Sequence, residues 1–302
     1  MSEKKDYLHL HFIVFLWGFT AILGLLITIP SVEIVFYRVL LAAIALAVIM
    51  YIKKLSFKVP PRYLLLMLLN GGLIGAHWIL FFGAARVATA SVCLAGMATT
   101  SFWTSLLEPM VVKKKLKPYE LMLGLVVIVG LYVIFRFEFN HALGLALALG
   151  SAFLAALFTV INLKFAHKYH HQTITFYEMT GASVSILAFF PFYGKFFTTS
   201  GLQLIPTAMD WVYLLILALV CTVYAYSQSV SLMKRISAFG INLTVNMEPV
   251  YGIVLAVIIF PASEKMNFGF YMGTLIILAA VLSYPVLNRW HKRSAAVTDN
   301  LR

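Results

Sequence analysis

The 302-residue chain is too apolar for a soluble protein, because 62% of its residues are hydrophobic and only 11% are charged. Soluble domains are about 45–50% apolar and about 25% charged. The composition also excludes a disordered chain, and only two cysteines, Cys93 and Cys221, both in apolar runs, exclude a secreted disulfide scaffold. A net charge of +12 suggests nucleic acid binding in a soluble protein. In a membrane protein its meaning depends on where the basic residues lie.

Ten apolar stretches are long enough to cross a bilayer, which takes about 20 helical residues. They cover approximately residues 8–28, 33–52, 63–85, 89–111, 119–136, 142–164, 173–193, 210–233, 237–260 and 268–288. Pro109 and Pro249 fall in the fourth and ninth stretches, and membrane helices tolerate proline where neighbouring helices satisfy the freed carbonyl. The loops are short and leave no room for a soluble domain. The sequence therefore predicts an all-α polytopic membrane protein with ten transmembrane helices.

The basic residues alternate between the two sides of this helix order. Eighteen of the 23 Lys and Arg residues fall at the termini and in the even-numbered loops, and four fall in the odd-numbered loops. Arg38, the last one, lies inside span two. Because cytoplasmic loops carry the excess of Lys and Arg, the split predicts that both termini are cytoplasmic. The positive charge thus marks one membrane face and does not indicate a nucleic acid partner.

The two halves of the chain repeat one another. The sequence FYRVLLAA at 36–43 corresponds to FYEMTGAS at 176–183, and RVATASV at 86–92 corresponds to KRISAFG at 234–240. The repeats are 1–137 and 141–302, with five predicted spans each. An odd number of spans forces the second copy to insert with the opposite orientation. Inverted repeats recur in secondary transporters, where the substrate site lies near the membrane midplane between them.

The same stretches carry a family resemblance over nearly the whole chain. The chain resembles EamA-type members of the drug/metabolite transporter superfamily in FLWGFTAILG, HWILFFGAARVATASV, SAFGINLTVNMEPVYGIVLA and GFYMGTLIILAAV. The resemblance implies two five-helix repeats, a multi-pass protein of the bacterial inner membrane, and transport of small metabolites, often outward. It also implies that spans 1, 3, 4, 6, 8 and 9 line a central cavity. It does not identify the substrate, since members handle amino acids, sugars, nucleobase-like compounds and toxic amphiphiles.

Four of the ionisable side chains inside predicted spans are candidates for a function, because such groups are costly there and usually functional. Glu248 in mid-span nine is a candidate site for a proton or a substrate amine, or a partner for the backbone freed by Pro249. Arg38 is a candidate for gripping a substrate carboxylate, or for an ion pair or snorkelling to the headgroups. His77 is a candidate proton relay, or a buried histidine satisfied by a helix neighbour. Glu178, the repeat counterpart of Arg38, is expected to be structural, near the cytoplasmic interface.

Polar side chains and polar-tipped aromatics on the same spans complete the predicted site. They are Trp17, Thr20, Trp78, Thr99, Thr100, Trp103, Asn162, Tyr224, Tyr226, Gln228, Asn242 and Asn246. Packing or an interfacial belt is the alternative for individual aromatics. Spans five and ten are nearly pure aliphatic and are expected to be peripheral. The Gly71-x-x-x-Gly75 pattern of span three is compatible with a homodimer.

Motifs of other protein classes are missing from the sequence. There is no phosphate-binding loop for ATP, no cluster with metal-ligand spacing, and no nucleophile–base signature. We therefore predict a secondary transporter without cofactor or metal, which exports a small metabolite such as an amino acid by alternating access. A substrate gradient or protons would drive it. The alternatives are a flippase for a lipid or lipid-linked sugar on the same fold, and a membrane sensor or enzyme that does not transport.

Overall fold

The computed structural model describes residues 3–113, 115–137, 141–199, 201–260 and 268–300, and these residues form helices and connecting loops without a β-strand. The first half contains α1 (Glu3–Gly18), α2 (Thr20–Leu26), α3 (Ser31–Ile52), α4 (Pro61–Val87), α5 (Ala90–Met97), α6 (Thr100–Val112) and α7 (Pro118–Phe137). The second half contains α8 (Ala142–Ala166), α9 (His171–Phe196), α10 (Ala208–Leu215), the π-helix π1 (Ile216–Tyr226), α11 (Ser227–Leu232), α12 (Ala238–Val245), α13 (Glu248–Ile259) and α14 (Phe268–Asn300).

Within the described residues, eight helical segments are long and apolar enough to cross a membrane. They are Lys4–Leu26, Ser31–Ile52, Pro61–Val87, Ala90–Val112, Ala142–Ala166, His171–Phe196, Ala208–Leu232 and Ala238–Ile259. The other two predicted spans correspond to shorter apolar stretches, Pro118–Gly130 in α7 and Phe268–Tyr284 in α14. The protein is therefore a multi-pass membrane protein with an all-α architecture.

The fourth span is interrupted between α5 and α6, and the cause is a run of hydroxyl residues. The N–H groups of Ala98 and Thr99 donate to carbonyls three residues earlier, which tightens the helix locally. The side-chain hydroxyls of Thr99 and Thr100 donate to the carbonyls of Gly96 and Met97, at 2.9 and 2.7 Å. Pro109 lies one helix segment further on, inside α6, so the proline is not the cause of this break.

The ninth span is interrupted at the corresponding place in the second half. The N–H groups of Asn246 and Met247 also donate to carbonyls three residues earlier. Pro249 follows in the first turn of α13, where its missing N–H costs nothing. Both halves thus contain a span made of two short helices. The new helix begins at Thr100 in one half and at Glu248 in the other.

The eighth span contains an 11-residue π-helix that the sequence analysis did not predict. Such helices are rare and are often found at functional sites. The hydroxyl of Thr222 donates to the carbonyl of Leu217, five residues earlier, at 2.9 Å. The carbonyl of Cys221 accepts a hydrogen bond from the Trp17 indole N–H at 3.0 Å. The π-helix therefore joins span eight to span one through its own backbone.

Helices α4 and α9 cross at two glycines. A Cβ atom on Gly71 would lie 2.0 Å from the carbonyl oxygen of Glu178, and one on Gly181 would lie 2.1 Å from the carbonyl oxygen of Leu68. No side chain fits in either place, so only glycine allows this approach. A Cβ on Gly75 would also meet α9. The pattern that was compatible with a homodimer is therefore used for packing within the chain.

Helices α7 and α14 pack against one another at the side of the bundle. A Cβ atom on Gly130 of α7 would lie 2.7 Å from the carbonyl oxygen of Gly273 in α14. Their buried side chains belong largely to a second, smaller hydrophobic cluster. These two helices correspond to the predicted spans five and ten, and their place at the side agrees with their aliphatic composition.

Candidate functional site

A buried cavity of about 80 Å³ lies between the interrupted spans. Nine of the predicted site residues line it: Trp17, Thr20, Arg38, His77, Trp78, Thr100, Tyr226, Asn242 and Glu248. These residues come from spans 1, 2, 3, 4, 8 and 9, and further lining residues, including Phe158, come from span 6. Span two, through Arg38, is an addition to the set that the family resemblance implies. The volume is well below the roughly 300–1,000 Å³ of sites for drug-sized ligands, so this conformation suits a small solute.

Arg38 is held in the cavity wall by one hydrogen bond and one aromatic face. Its Nε donates to the hydroxyl of Thr222 in the π-helix at 2.9 Å. The centre of its guanidinium lies 3.8 Å from the centroid of the Trp78 ring, a distance at which a cation is attracted to the ring face. Its Nη1 atom is buried without a hydrogen-bond partner among the described residues. Arg38 is therefore held in one orientation while part of its hydrogen-bonding capacity is unused. It can donate to a hydrogen-bond acceptor that enters the cavity.

Glu248 lies on the cavity at the first position of α13. The backbone N–H groups at the start of a helix and the helix dipole favour a negative charge there. The hydroxyl of Thr20 in α2 lines the same cavity and donates to the carbonyl of Trp17 at 2.7 Å, and Arg38 is the cation that acts electrostatically on the Glu248 carboxylate. Glu248 is buried, and the break in span nine places its carboxylate on the cavity.

Arg38 and Glu248 line the same cavity without pairing with each other. The ion pairs between described residues join Lys117 to Glu120 and Arg235 to Asp6, and neither cavity charge takes part in one. Two opposite charges that are both buried attract strongly, yet the fold holds them more than 4.0 Å apart. The cavity therefore presents a positive side and a negative side to whatever occupies it.

Aromatic rings form much of the remaining wall. Trp17, Trp78, Phe81, Phe158 and Tyr226 all line the cavity. The ring of Trp78 meets that of Tyr226 edge-on at 6.2 Å between centroids, and Phe158 meets Tyr226 in the same way at 6.1 Å. Edge-to-face contacts of this kind stabilise a fixed arrangement of rings. Aromatic rings therefore make up a large part of the wall around the two charges.

His77 lines the cavity, and its ring is fixed by span six. Its Nδ1 lies 2.9 Å from the carbonyl oxygen of Ser151, and the hydroxyl of Ser151 donates to the His77 carbonyl at 2.9 Å. The carbonyl contact requires the hydrogen on Nδ1, which leaves Nε2 as an acceptor. This arrangement matches a buried histidine satisfied by a helix neighbour. Among the described residues, no group of three or more His, Cys, Asp or Glu side chains is placed to hold a metal ion.

Two predicted site residues of span eight point away from the cavity. Tyr224 is 40% exposed on the outer face, where its hydroxyl lies 3.2 Å from Nε2 of His9. Gln228 is half-buried and does not line the cavity. The prediction that these two residues surround the cavity is therefore wrong, because the faces of a helix that are turned inward depend on its twist, which the π-helix changes. Tyr226 is the residue of this stretch that reaches the cavity.

Four other predicted site residues lie behind the cavity wall, where they join helices. Thr99 stabilises the break in span four. Trp103 packs edge-on against Phe153 of α8 at 5.3 Å between ring centroids. The amide of Asn162 donates to the hydroxyl of Tyr226, and the amide of Asn246 donates to the hydroxyl of Ser101, both at 2.9 Å. These residues support the cavity and do not line it.

Glu178 departs most from the expectation. It was expected to be structural near the cytoplasmic interface, but its side chain is 0% exposed. Its two oxygens accept hydrogen bonds from Asn70 of α4 and from Tyr226 of π1, at 2.7 and 3.0 Å. Asn70, a polar residue in an apolar span, was not singled out from the sequence. Asn162 was singled out, and Asn70 lies opposite it. The presence of Asn70 opposite Asn162 is the signal that points to a buried polar cluster.

Comparisons with known proteins agree with this architecture. The model of the EamA-like transporter family matches residues 7–136 and 142–284, and these stretches fall within the two predicted repeats. A solved structure titled "Crystal structure of protein" has a TM-score of 0.71 at 16% sequence identity, covering 95% of this chain and 99% of its own. At this identity the likeness shows a shared fold alone. Comparison with curated proteins found no match.

The family matches cover most of the chain and both of its halves. They agree with the apolar helices that cross the membrane and with the motifs quoted above from spans one, three, four, nine and ten. The chain belongs to the EamA-like transporter family of membrane proteins, within the drug/metabolite transporter superfamily.

Proposed function

We propose that the protein is a secondary transporter that binds a small zwitterion, such as an amino acid, in the central cavity and exports it. The observation that carries this proposal is the pair of unpaired opposite charges, Arg38 and Glu248, on one small cavity with aromatic walls. A zwitterion satisfies both charges at once. A neutral sugar brings a counter-charge to neither of them, and a singly charged solute leaves one of them buried without a counter-charge, which is costly.

Each charged end of the substrate has a partner that is already oriented. Arg38 donates its free guanidinium N–H groups to the carboxylate, since Nε is committed to Thr222 and Nη1 has no hydrogen-bond partner in the described part of the chain. Glu248, at the first position of α13, accepts from the ammonium. Because both partners are fixed before binding, little conformational entropy is lost when the substrate enters.

Alternating access follows from the interrupted spans. In this proposal ten helices form two inverted five-helix repeats, with both termini in the cytoplasm of a bacterial cell and the cavity near the membrane midplane. The breaks before Thr100 and Glu248 bring the start of a half-helix from each repeat to the cavity. Rocking of one repeat against the other opens the cavity first to the cytoplasm and then to the outside.

Counterflow in proteoliposomes tests this function. Purified protein is reconstituted into vesicles loaded with an unlabelled amino acid, and entry of labelled amino acids, sugars and a fluorescent lipid is followed in parallel. We expect labelled small amino acids to accumulate, with no exchange of sugars. Lipid movement between leaflets without amino acid exchange would instead support the flippase alternative and contradict the proposal. Release of amino acids from cells that overproduce the protein then tests the direction.

A further inference from the structure

A buried carboxyl group lies next to the cavity and takes part in no ion pair within the described residues. Glu178 of α9 is fully buried at the glycine crossing with α4. One oxygen accepts from the amide of Asn70 at 2.7 Å, and the other accepts from the hydroxyl of Tyr226 at 3.0 Å. The ion pairs of the described residues do not include it. Hydrogen bonds from two neutral groups only partly offset the cost of burying a charge.

The titratable and charged groups around Glu178 come from each element packed against it. Tyr226 contacts it from π1. Arg38 of α3, His77 of α4 and Glu248 of α13 line the cavity that Tyr226 also lines. His171, on α9 itself, is bonded to the hydroxyl of Ser227. None of these forms an ion pair with Glu178 among the described residues.

Tyr226 connects this carboxyl group to the cavity. Its hydroxyl accepts from the amide of Asn162 at 2.9 Å and lies 3.0 Å from the Glu178 carboxyl group, and its side chain lines the cavity. A phenol has one hydrogen and two lone pairs. When Glu178 is ionised, the hydroxyl hydrogen points to Glu178 and the second lone pair is free. When Glu178 is protonated, it donates to that lone pair, and the hydroxyl hydrogen is free.

We propose that Glu178 is a proton-binding site that couples to transport through Tyr226, so that a proton on Glu178 and a substrate ammonium group in the cavity exclude one another. The ionised form offers the ammonium an acceptor on Tyr226 and a nearby negative charge. When Glu178 is protonated, the ammonium meets the hydroxyl hydrogen of Tyr226, which is a donor, and no nearby negative charge. Binding of one substrate ammonium therefore releases one proton from Glu178, which makes the protein an antiporter. This inference rests on the proposed function, because it requires a substrate with an ammonium group.

The proton site itself is tested without any substrate. Infrared difference spectra between acidic and alkaline buffer detect the carbonyl band of a protonated carboxylic acid. We expect a band that is absent from the Glu178→Gln variant and present in the Glu33→Gln variant. Glu33 is the matched control, since it is also 0% exposed but does not line the cavity or contact Tyr226. The same band in Glu178→Gln as in the unaltered protein would overturn the proton site.

The coupling is tested by amino acid binding across the same pH range. We expect the affinity of the unaltered protein to fall about tenfold or more in acid, as one charge-assisted hydrogen bond is replaced by a repulsive contact. Glu178→Gln, whose amide donates to Tyr226 as the protonated acid does, should bind weakly at every pH. Tyr226→Phe should keep the infrared band and lose most of the pH dependence.

Two outcomes separate the coupling from the function. A Glu178→Gln variant whose affinity keeps the original pH dependence would overturn the coupling, even if amino acids are transported. A protein that binds no amino acid in any buffer contradicts the proposed function, and with it the coupling, while the infrared band still decides whether Glu178 holds a proton. Size-exclusion profiles of the variants show whether each one is folded.

Discussion

Replacing Gly71 by alanine perturbs the helix crossing on which the Glu178 site depends. The new Cβ would lie 2.0 Å from the carbonyl oxygen of Glu178 and 2.8 Å from the backbone nitrogen of Ala182. Ordinary van der Waals contacts of carbon are about 3.5–4.0 Å, so α4 and α9 must separate by about 1.5 Å at this level. Both obstructing atoms are backbone, and neither can move by a side-chain rotation.

The free energy of unfolding should fall as a result. Overpacking of this kind costs about 1–3 kcal/mol. The separation also lengthens the 2.7 Å hydrogen bond from Asn70 to Glu178 beyond a useful distance, and a buried polar group left unsatisfied costs about 1–3 kcal/mol more. The helix propensity of alanine over glycine returns at most about 1 kcal/mol. We expect a net loss of about 2 kcal/mol or more for Gly71→Ala.

Thermal unfolding in detergent, followed by tryptophan fluorescence, measures this loss. Gly83→Ala is the matched control on the same helix, because its Cβ would meet only Leu147 Cδ1 at 3.8 Å, an ordinary contact. Gly71→Ala should melt clearly below the unaltered protein, and Gly83→Ala should melt at the same temperature or above it. Equal melting temperatures for the two variants would refute the close crossing of α4 and α9.

Two further changes test the connections outside the cavity. Asp210 accepts from the N–H and hydroxyl of Thr28, at 2.8 and 2.6 Å, and from the N–H of Thr207 at 2.9 Å. Asp210→Ala should therefore lower stability by about 2 kcal/mol or more, and a variant that melts like the unaltered protein would show that these bonds are not formed. His170 accepts from the N–H of Gln172 at the start of α9, and burial followed by neighbouring lysine charges lowers the pKa of His170 below its ordinary 6.5. Folding therefore favours the neutral ring of His170. The contribution of this ring to stability is complete above pH 6.5, is lost as the pH falls from there towards the lowered pKa, and should disappear in His170→Asn. Melting temperatures of both proteins measured against pH check this, and an unchanged pH profile in the variant would contradict it.

The features that follow from composition and periodicity were predictable from the sequence. The apolar stretches and their order agree with the helices, because a membrane helix needs a continuous apolar surface whatever its neighbours are. Glu248 and Arg38 were recognised as candidates because a charge in a membrane span is costly and has to face a cavity or a partner. Both of them line the cavity.

The features that depend on helix twist and on distant contacts were not predictable. The π-helix changes the angle between successive residues, so Tyr226 faces the cavity and Tyr224 faces outward. Glu178 looks interfacial when its depth is counted from the start of its span, and it is buried only because α4 crosses at Gly71. Asn70 gains its meaning from a partner 108 positions away, which no local pattern reveals.

Binding of an amino acid and its two single-charge analogues to Arg38→Gln and Glu248→Gln tests the two-charge recognition proposed for the cavity. One analogue lacks the carboxylate and the other lacks the ammonium. Arg38→Gln should weaken binding of the amino acid about tenfold to a hundredfold, as expected for a lost charge-assisted hydrogen bond, and should leave binding of the amine analogue unchanged. Glu248→Gln should weaken the amino acid similarly and spare the carboxylate analogue. The two-charge recognition would be contradicted if either variant changed binding of both analogues equally, or if neither variant changed binding of the amino acid.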